Sequence, residues 1–275
     1  MRDFLYIAPS FTHSECIDSI MSIRISAGGL CFCIKNGGEV KFLLSQNETL
    51  SSDEQRITLI EELFIKHNLS EVKFKEIKVY HALLHKMLIP GCEVENGNYK
   101  VWLKTLTGVS MESTLLRQVI PMCDCEVFAP LSSKLSLFLE RFGRVDERVI
   151  TAPFICNSIT SVPKGNKGHW IFVEYSAGVL DVLVTKGKKM VFFNSYQVTK
   201  AEEALYYVLQ VARLHSLNES VNAVFSGEIE SHEELIFATL KRYLPMFTIA
   251  ANIELKGICS EDNIEAMPLF VHLLE

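Results

Sequence analysis

The sequence has no excess of basic charge, with 27 Lys and Arg residues against 33 Asp and Glu residues and a formal net charge of −6. Proteins that bind nucleic acids neutralise phosphates with clustered Lys and Arg side chains. The densest basic stretch, Lys186–Lys189, falls at a predicted hairpin turn, where it is typical of a solvated loop tip. The charge balance therefore argues against a nucleic-acid partner.

Long apolar runs are also missing. No run approaches the roughly 18 apolar residues that read as a membrane-spanning helix. The first residues lack the basic segment followed by an apolar core that marks a signal peptide. We therefore expect a cytoplasmic protein with no membrane span.

Metal-ligand spacing is absent as well. None of the eight cysteines forms a Cys-x-x-Cys pair, the spacing typical of structural zinc sites. His81 and His85 are spaced by one helical turn, but Ala82 stands where the zinc-protease motif has glutamate. The sequence therefore predicts no metal site of these kinds.

What the sequence does contain is an internal repeat. Residues 21–46 align with residues 171–196 at an offset of 150 without a gap, and seven of the 26 positions are identical. Both copies carry Ser-Ala-Gly, at Ser26–Gly28 and Ser176–Gly178. Two copies of a long period indicate two related domains rather than a solenoid. With the boundary in a polar segment at 143–149, we predict domains at 1–148 and 149–275.

Each copy of the repeat predicts a three-stranded meander followed by a helix. The strands are rich in apolar and β-favouring residues, and glycine-containing turns connect them. Ser51–Glu54 has the spacing of a helix capping box, and Thr199–Glu202 is predicted to cap the second helix. With a later helix stopped by Pro245 and a strand at 246–253, the second half is predicted as βββαβαβ. Trp102 is predicted in an apolar core strand.

This order of elements, with a glycine turn in the first hairpin of each half, resembles the actin-like ATPase superfamily. The resemblance covers most of the chain as an order of elements, while its specificity lies in three short loops. It implies an α/β fold of two tandem ribonuclease H-like domains around a central cleft that holds a nucleotide. By the same resemblance, Gly28, Glu174, Gly178 and Gly227 are the candidate nucleotide contacts.

The three loops depart from the superfamily pattern. The first usually reads like Asp-x-Gly-x-Gly, but here Arg24 replaces the acidic residue, and a guanidinium never ligates Mg²⁺. Ser26 and Ser176 stand where glycine is usual, which disfavours close approach of the backbone to a phosphate. Glu228 follows Gly227 where a second glycine is expected, and its carboxylate costs affinity for a phosphate unless it points away.

The chain also resembles an uncharacterised bacterial family of actin-like proteins and the degenerate actin-like scaffolds of pilus and secretion platforms. That resemblance implies an interaction or ligand-responsive scaffold with a protein partner, no cofactor and no competent ATPase or kinase chemistry. The alternative is a working phosphotransferase, a small-metabolite kinase or ATPase, that uses ATP with Mg²⁺ at Glu174 and the glycines. A third interpretation is a different two-domain α/β protein whose repeat is coincidental. Without a nucleotide, the glycines only supply the permissive backbone conformations of turns.

Overall fold

The computed structural model describes residues 3–91, 99–107, 114–217, 221–228 and 236–250, together with Phe270 and Leu273. Its contacts divide the chain into two compact units. The N-terminal unit comprises residues 3–152 and 273–275, and the C-terminal unit comprises residues 1–2 and 153–272. The predicted domains, with their boundary after residue 148, stay a prediction.

The N-terminal unit consists, in chain order, of β1 (Phe4–Ile7), β2 (Ile20–Ser26), β3 (Gly29–Asn36), β4 (Glu39–Asn47), α1 (Asp53–Lys66), β5 (Phe74–His81), β6 (Met87–Pro90), α2 (Tyr99–Thr107), β7 (Thr114–Ile120), β8 (Cys125–Leu131), α3 (Ser133–Leu139) and β9 (Gly143–Val149). It contains a six-stranded sheet with the strand order β1-β4-β3-β2-β5-β9. A separate three-stranded sheet, in the order β6-β8-β7, is inserted between β5 and α3.

One face of the six-stranded sheet forms the core of this unit together with α1 and α3. Ile23 and Val79 point from the central strands into this core, where they join Phe64 of α1 and Leu139 of α3. The ring of Phe64 lies edge-on to that of Phe142, with centroids 4.8 Å apart. Fully burying a side chain of this size stabilises the fold by about 1.5–3 kcal/mol. Alternate residues of β2 therefore face α1 and α3, and those between them, such as Arg24, face the other side.

The remaining elements are α4 (Thr151–Ser161), β10 (His169–Ser176), β11 (Val179–Lys186), β12 (Lys189–Gln197), α5 (Ala201–Leu214), β13 (Asn222–Gly227), α6 (Ile236–Tyr243) and β14 (Phe247–Ile249). The C-terminal unit contains a five-stranded sheet with the order β12-β11-β10-β13-β14, in which β13 runs parallel to β10. Odd-numbered residues of β10, such as Ile171 and Val173, pack with α5 and α6 in the core of this unit. From β10 onward the order βββαβαβ is as predicted, although residues 231–235 and 251–253 lie outside the described residues.

The sequence repeat is also a repeat of backbone geometry. Strands β11 and β12 begin and end 150 residues after β3 and β4. Both meanders carry a bulge at the same place, after Ile34 in β3 and after Val184 in β11. The hydrogen bond from Val198 N–H to the Gly178 carbonyl repeats the one from Glu48 N–H to the Gly28 carbonyl. The two meanders therefore share register and bulge as well as strand order.

The polar segment at 143–149, where the domain boundary is predicted, is a strand. β9 pairs in parallel with β5 at the end of the sheet. Val145 packs against the apolar core, while Arg144 forms an ion pair with Glu76 on the neighbouring strand. Charges are tolerated here because an edge strand keeps one side open to water. The polar composition of this segment therefore did not indicate a strand.

Two further predictions were wrong in detail. Trp102 lies on helix α2 with 40% of its surface exposed, so it is neither in a strand nor in the core. The capping box of α1 begins one residue later than predicted, at Ser52, and uses Gln55. Ser52 has the extended backbone that an N-cap needs, and the Gln55 side chain accepts the N–H groups of both Ser51 and Ser52.

We expect Ser52→Ala to lower the free energy of unfolding by about 1 kcal/mol, because it leaves the Gln55 N–H without its cap. Urea unfolding followed by circular dichroism measures this change. Ser70→Ala, at an exposed serine beyond the end of the same helix, serves as the control. Equal stability of the two variants would contradict the capping role.

Candidate functional site

The first glycine turn joins β2 to β3 in the N-terminal unit. Its Gly28 N–H donates to the Ser26 hydroxyl oxygen over 3.1 Å. Among the described residues, positive φ at this turn falls on Gly29 (φ +137°) and not on Ala27 or Gly28. The serine that replaces the usual glycine thus turns back onto the backbone of its own turn.

The second glycine turn joins β10 to β11 in the C-terminal unit and has a different backbone. Ala177 and Gly178 adopt φ values of +38° and +87°. Val179 follows here in place of Gly29, and a β-branched residue disfavours positive φ, so the left-handed conformation falls on the two preceding residues. Identical Ser-Ala-Gly sequences therefore form two different turns.

The second turn is bound by a carboxylate of the same chain. The Ala177 N–H donates to Glu228 Oε2 over 3.1 Å, and the Glu228 side chain is 3% exposed. The Glu228 N–H in turn donates to the carbonyl of Tyr175 over 2.8 Å. The residue that replaces the expected second glycine therefore binds the turn rather than pointing away from it.

Gly227 makes this approach sterically possible. It has a φ of +98°, and a Cβ atom built on it would lie 2.1 Å from the Tyr175 carbonyl oxygen and 2.9 Å from Glu174 Oε1. Such contacts are not tolerated, so β13 and β10 require glycine here. This requirement explains Gly227 without a ligand.

Polar side chains lie on the sheet face opposite each core. In the C-terminal sheet Glu174 is directly opposite Asp181, and each is 2% exposed. In the N-terminal sheet the matching positions are Arg24, which is 1% exposed, and Cys31. The repeat thus places two acids at one pair of positions and a cation beside a thiol at the other.

The structure brings together three of the four predicted nucleotide contacts. Glu174, Gly178 and Gly227 lie at one end of the C-terminal sheet, while Gly28 belongs to the N-terminal unit. Nucleotide contact by these four residues stays a prediction. Sequence reasoning missed Asp181, although the repeat and the hairpin register together would have placed it opposite Glu174.

Binding of ATP with Mg²⁺ requires N–H donors for the phosphates and oxygen ligands for the metal. A phosphate needs free N–H groups at the turns, whereas Ser26 and Glu228 each take up one of them. Mg²⁺ needs oxygen ligands, which Arg24 cannot supply. Within the described residues, no three His, Cys, Asp or Glu side chains are grouped to hold a metal ion. In each of the two turns, one N–H group is therefore already bonded within the chain.

A second polar cluster, partly buried, joins α3, β5 and β9 of the N-terminal unit and was not predicted. The Glu147 carboxylate contacts His81 Nε2 with one oxygen and accepts the Ser136 hydroxyl with the other. The glutamate lies between the other two groups, so the cluster ties α3 to β5 and β9 rather than arranging a serine nucleophile beside a histidine base. His81 ends β5 and His85 lies in a bend, so the two imidazoles are not a helical pair.

The match to a family model covers most of the chain. Residues 9–247 match the family described as "Protein of unknown function (DUF3822)". The chain belongs to the DUF3822 family. Among curated proteins, none matches its sequence.

Two solved structures are similar in fold to this DUF3822 chain. A Bacteroides thetaiotaomicron VPI-5482 protein with an actin-like ATPase fold and unknown function is 14% identical, with a TM-score of 0.71 over 90% of this chain and 98% of that one. The PilM-PilN type IV pilus biogenesis complex gives 11% identity and a TM-score of 0.64, over 93% and 97%. The predicted α/β fold, of the ribonuclease H-like, actin-like ATPase type, is confirmed. No helix among the described residues has the length and apolarity to cross a membrane.

We expect Gly227→Ala to destabilise the protein by about 3 kcal/mol or more, because the added Cβ meets the Tyr175 carbonyl at an unfavourable φ. Gly37→Ala is the matched control, since Gly37 also has positive φ (+57°) but has open space around its Cβ position. That variant should lose about 1 kcal/mol. Equal losses in chemical unfolding would contradict the close approach of β13 to β10.

Proposed function

We propose that this DUF3822 protein is an actin-like scaffold that binds a protein partner or a small ligand and does not hydrolyse or transfer the phosphates of ATP. One observation carries the proposal. The Gly28 and Ala177 N–H groups, one in each glycine turn, donate to the chain's own Ser26 and Glu228 side chains.

The charges near the turns support the same proposal. Phosphoryl transfer depends on precise positioning and on metal ions that neutralise the developing charge. Arg24 places a buried cation at the position where the resemblance expects the acid that orients the metal. Glu228 places a negative charge against the second turn, where it would repel a phosphate.

A protein partner is the more specific form of the proposal. PilM, whose fold this chain shares, was solved as a complex with PilN in type IV pilus biogenesis. Identity of 11% supports fold alone, so the partner of the DUF3822 protein is proposed by analogy and is not expected to be PilN. We expect its identity to differ among proteins that share this fold.

The alternative function is a phosphotransferase that uses ATP with Mg²⁺. One observation favours it: Glu174 and Asp181 are two buried carboxylates directly opposite each other on neighbouring strands. Carboxylate oxygens are ligands that Mg²⁺ prefers, so in the alternative this pair would bind the metal together with the nucleotide.

We expect calorimetric titration with ATP to give no heat up to millimolar nucleotide, with or without Mg²⁺, and no phosphate release above the buffer rate. Glu174→Gln and the exposed α5 variant Glu203→Gln should behave like the natural chain. Binding that needs Mg²⁺ and disappears in Glu174→Gln but not in Glu203→Gln would overturn the scaffold proposal and support the phosphotransferase.

A further inference from the structure

We infer that the β10–β11 turn of the C-terminal unit is an anion-binding site whose resident ligand is the Glu228 carboxylate. Removing that carboxylate should create a site for a small external oxyanion. The inference deepens the proposed function and rests on it, because it states what occupies this turn in place of a phosphate.

The geometry of Glu228 is that of a ligand held from two sides. Its backbone N–H is fixed on the Tyr175 carbonyl over 2.8 Å, and its Oε2 accepts the Ala177 N–H over 3.1 Å. Its Oε1 is buried and accepts no hydrogen bond from the described residues. One oxygen is thus bound by the turn, and the second keeps unused acceptor capacity.

Because Glu228 is buried, its hydrogen bond with the Ala177 N–H contributes more to stability than the same bond would in water. A buried carboxylate is costly unless donors compensate it, and a hydrogen bond to an ionised acceptor is about twice as strong as a neutral one. Consecutive N–H groups of a left-handed turn form a concavity that favours anions. Ala177 is a non-glycine residue at φ +38°, a conformation that persists only where its surroundings hold it. The carboxylate and the turn therefore stabilise each other.

The N-terminal unit provides an internal comparison. Ala82 is the counterpart of Glu228, since its N–H donates to the Ile25 carbonyl over 2.9 Å as that of Glu228 does to Tyr175. Ala82 has no carboxylate, and the turn beside it takes up its Gly28 N–H with the neutral Ser26 hydroxyl instead. Neither Ala27 nor Gly28 is left-handed there. The left-handed turn and the buried carboxylate thus occur together in one unit and are absent from the described turn of the other.

The size of the removed group defines the external ligand. Truncating glutamate to alanine removes a methylene and a carboxylate, the equivalent of one acetate ion. The space left in Glu228→Ala should therefore admit acetate, which can accept the released Ala177 N–H. Inorganic phosphate is also an oxyanion but carries four oxygens where acetate carries two, so it tests whether the turn also accepts a tetrahedral anion.

The experiment is chemical rescue of the full-length Glu228→Ala variant. We expect its unfolding midpoint to lie below that of the natural chain, and acetate at about ten times its dissociation constant to raise it by about 2–4 °C relative to chloride at equal ionic strength. The natural chain and the control Glu202→Ala, at an exposed glutamate of α5, should show no such difference. In amide NMR spectra, acetate should shift the Ala177 resonance in Glu228→Ala and not in the control.

Two results would overturn the inference: no acetate effect on a folded Glu228→Ala variant, or an equal effect on the natural chain. If Glu228→Ala does not fold, Glu228→Gln keeps the side-chain volume and removes the charge. That variant should shift the Ala177 amide resonance and show no response to acetate, and an unchanged resonance would overturn the inference. ATP hydrolysis by the natural chain would instead contradict the proposed function, so the two failures are distinguishable.

Discussion

The close approach of β13 to β10 is the contact on which the arrangement of the C-terminal unit depends. Gly227 leaves no room for a side chain against Tyr175, and the next residue bonds to the same carbonyl. This contact brings Glu228 to the turn between β10 and β11 from a strand that is distant in sequence. Without it, the Ala177 N–H would lack its acceptor, the Glu228 carboxylate.

Local patterns predicted much of the fold, because the meanders are built from contacts between neighbouring strands. Apolar, β-favouring segments and glycine turns place β2, β3 and β4 and their counterparts to within a few residues. Strand β9 was missed because its sequence is mostly polar and charged, although one of these charges pairs with Glu76 on β5. That pairing is non-local, so no window of sequence contains it.

The candidate site was less predictable than the fold for a related reason. The sequence identifies Arg24 and Glu228 as departures from the superfamily pattern, but it does not say where their side chains lie. The Glu228 contact depends on the parallel register of two strands separated by a helix. The difference between the two turns accompanies two changes, Val179 in place of Gly29 and Glu228 in place of Ala82. The second change lies outside the aligned repeat.

The matching bulge in the two meanders has a consequence for how the chain acquires its structure. Each meander consists of consecutive strands, so its contacts are short in sequence and close with little loss of chain entropy. A bulge fixes the register of the second hairpin, and a slip by one residue would move every apolar side chain to the wrong face. Each unit thus carries its own local starting point for folding, and the long-range pairing that brings Glu228 to its turn can follow on a sheet whose register is already set.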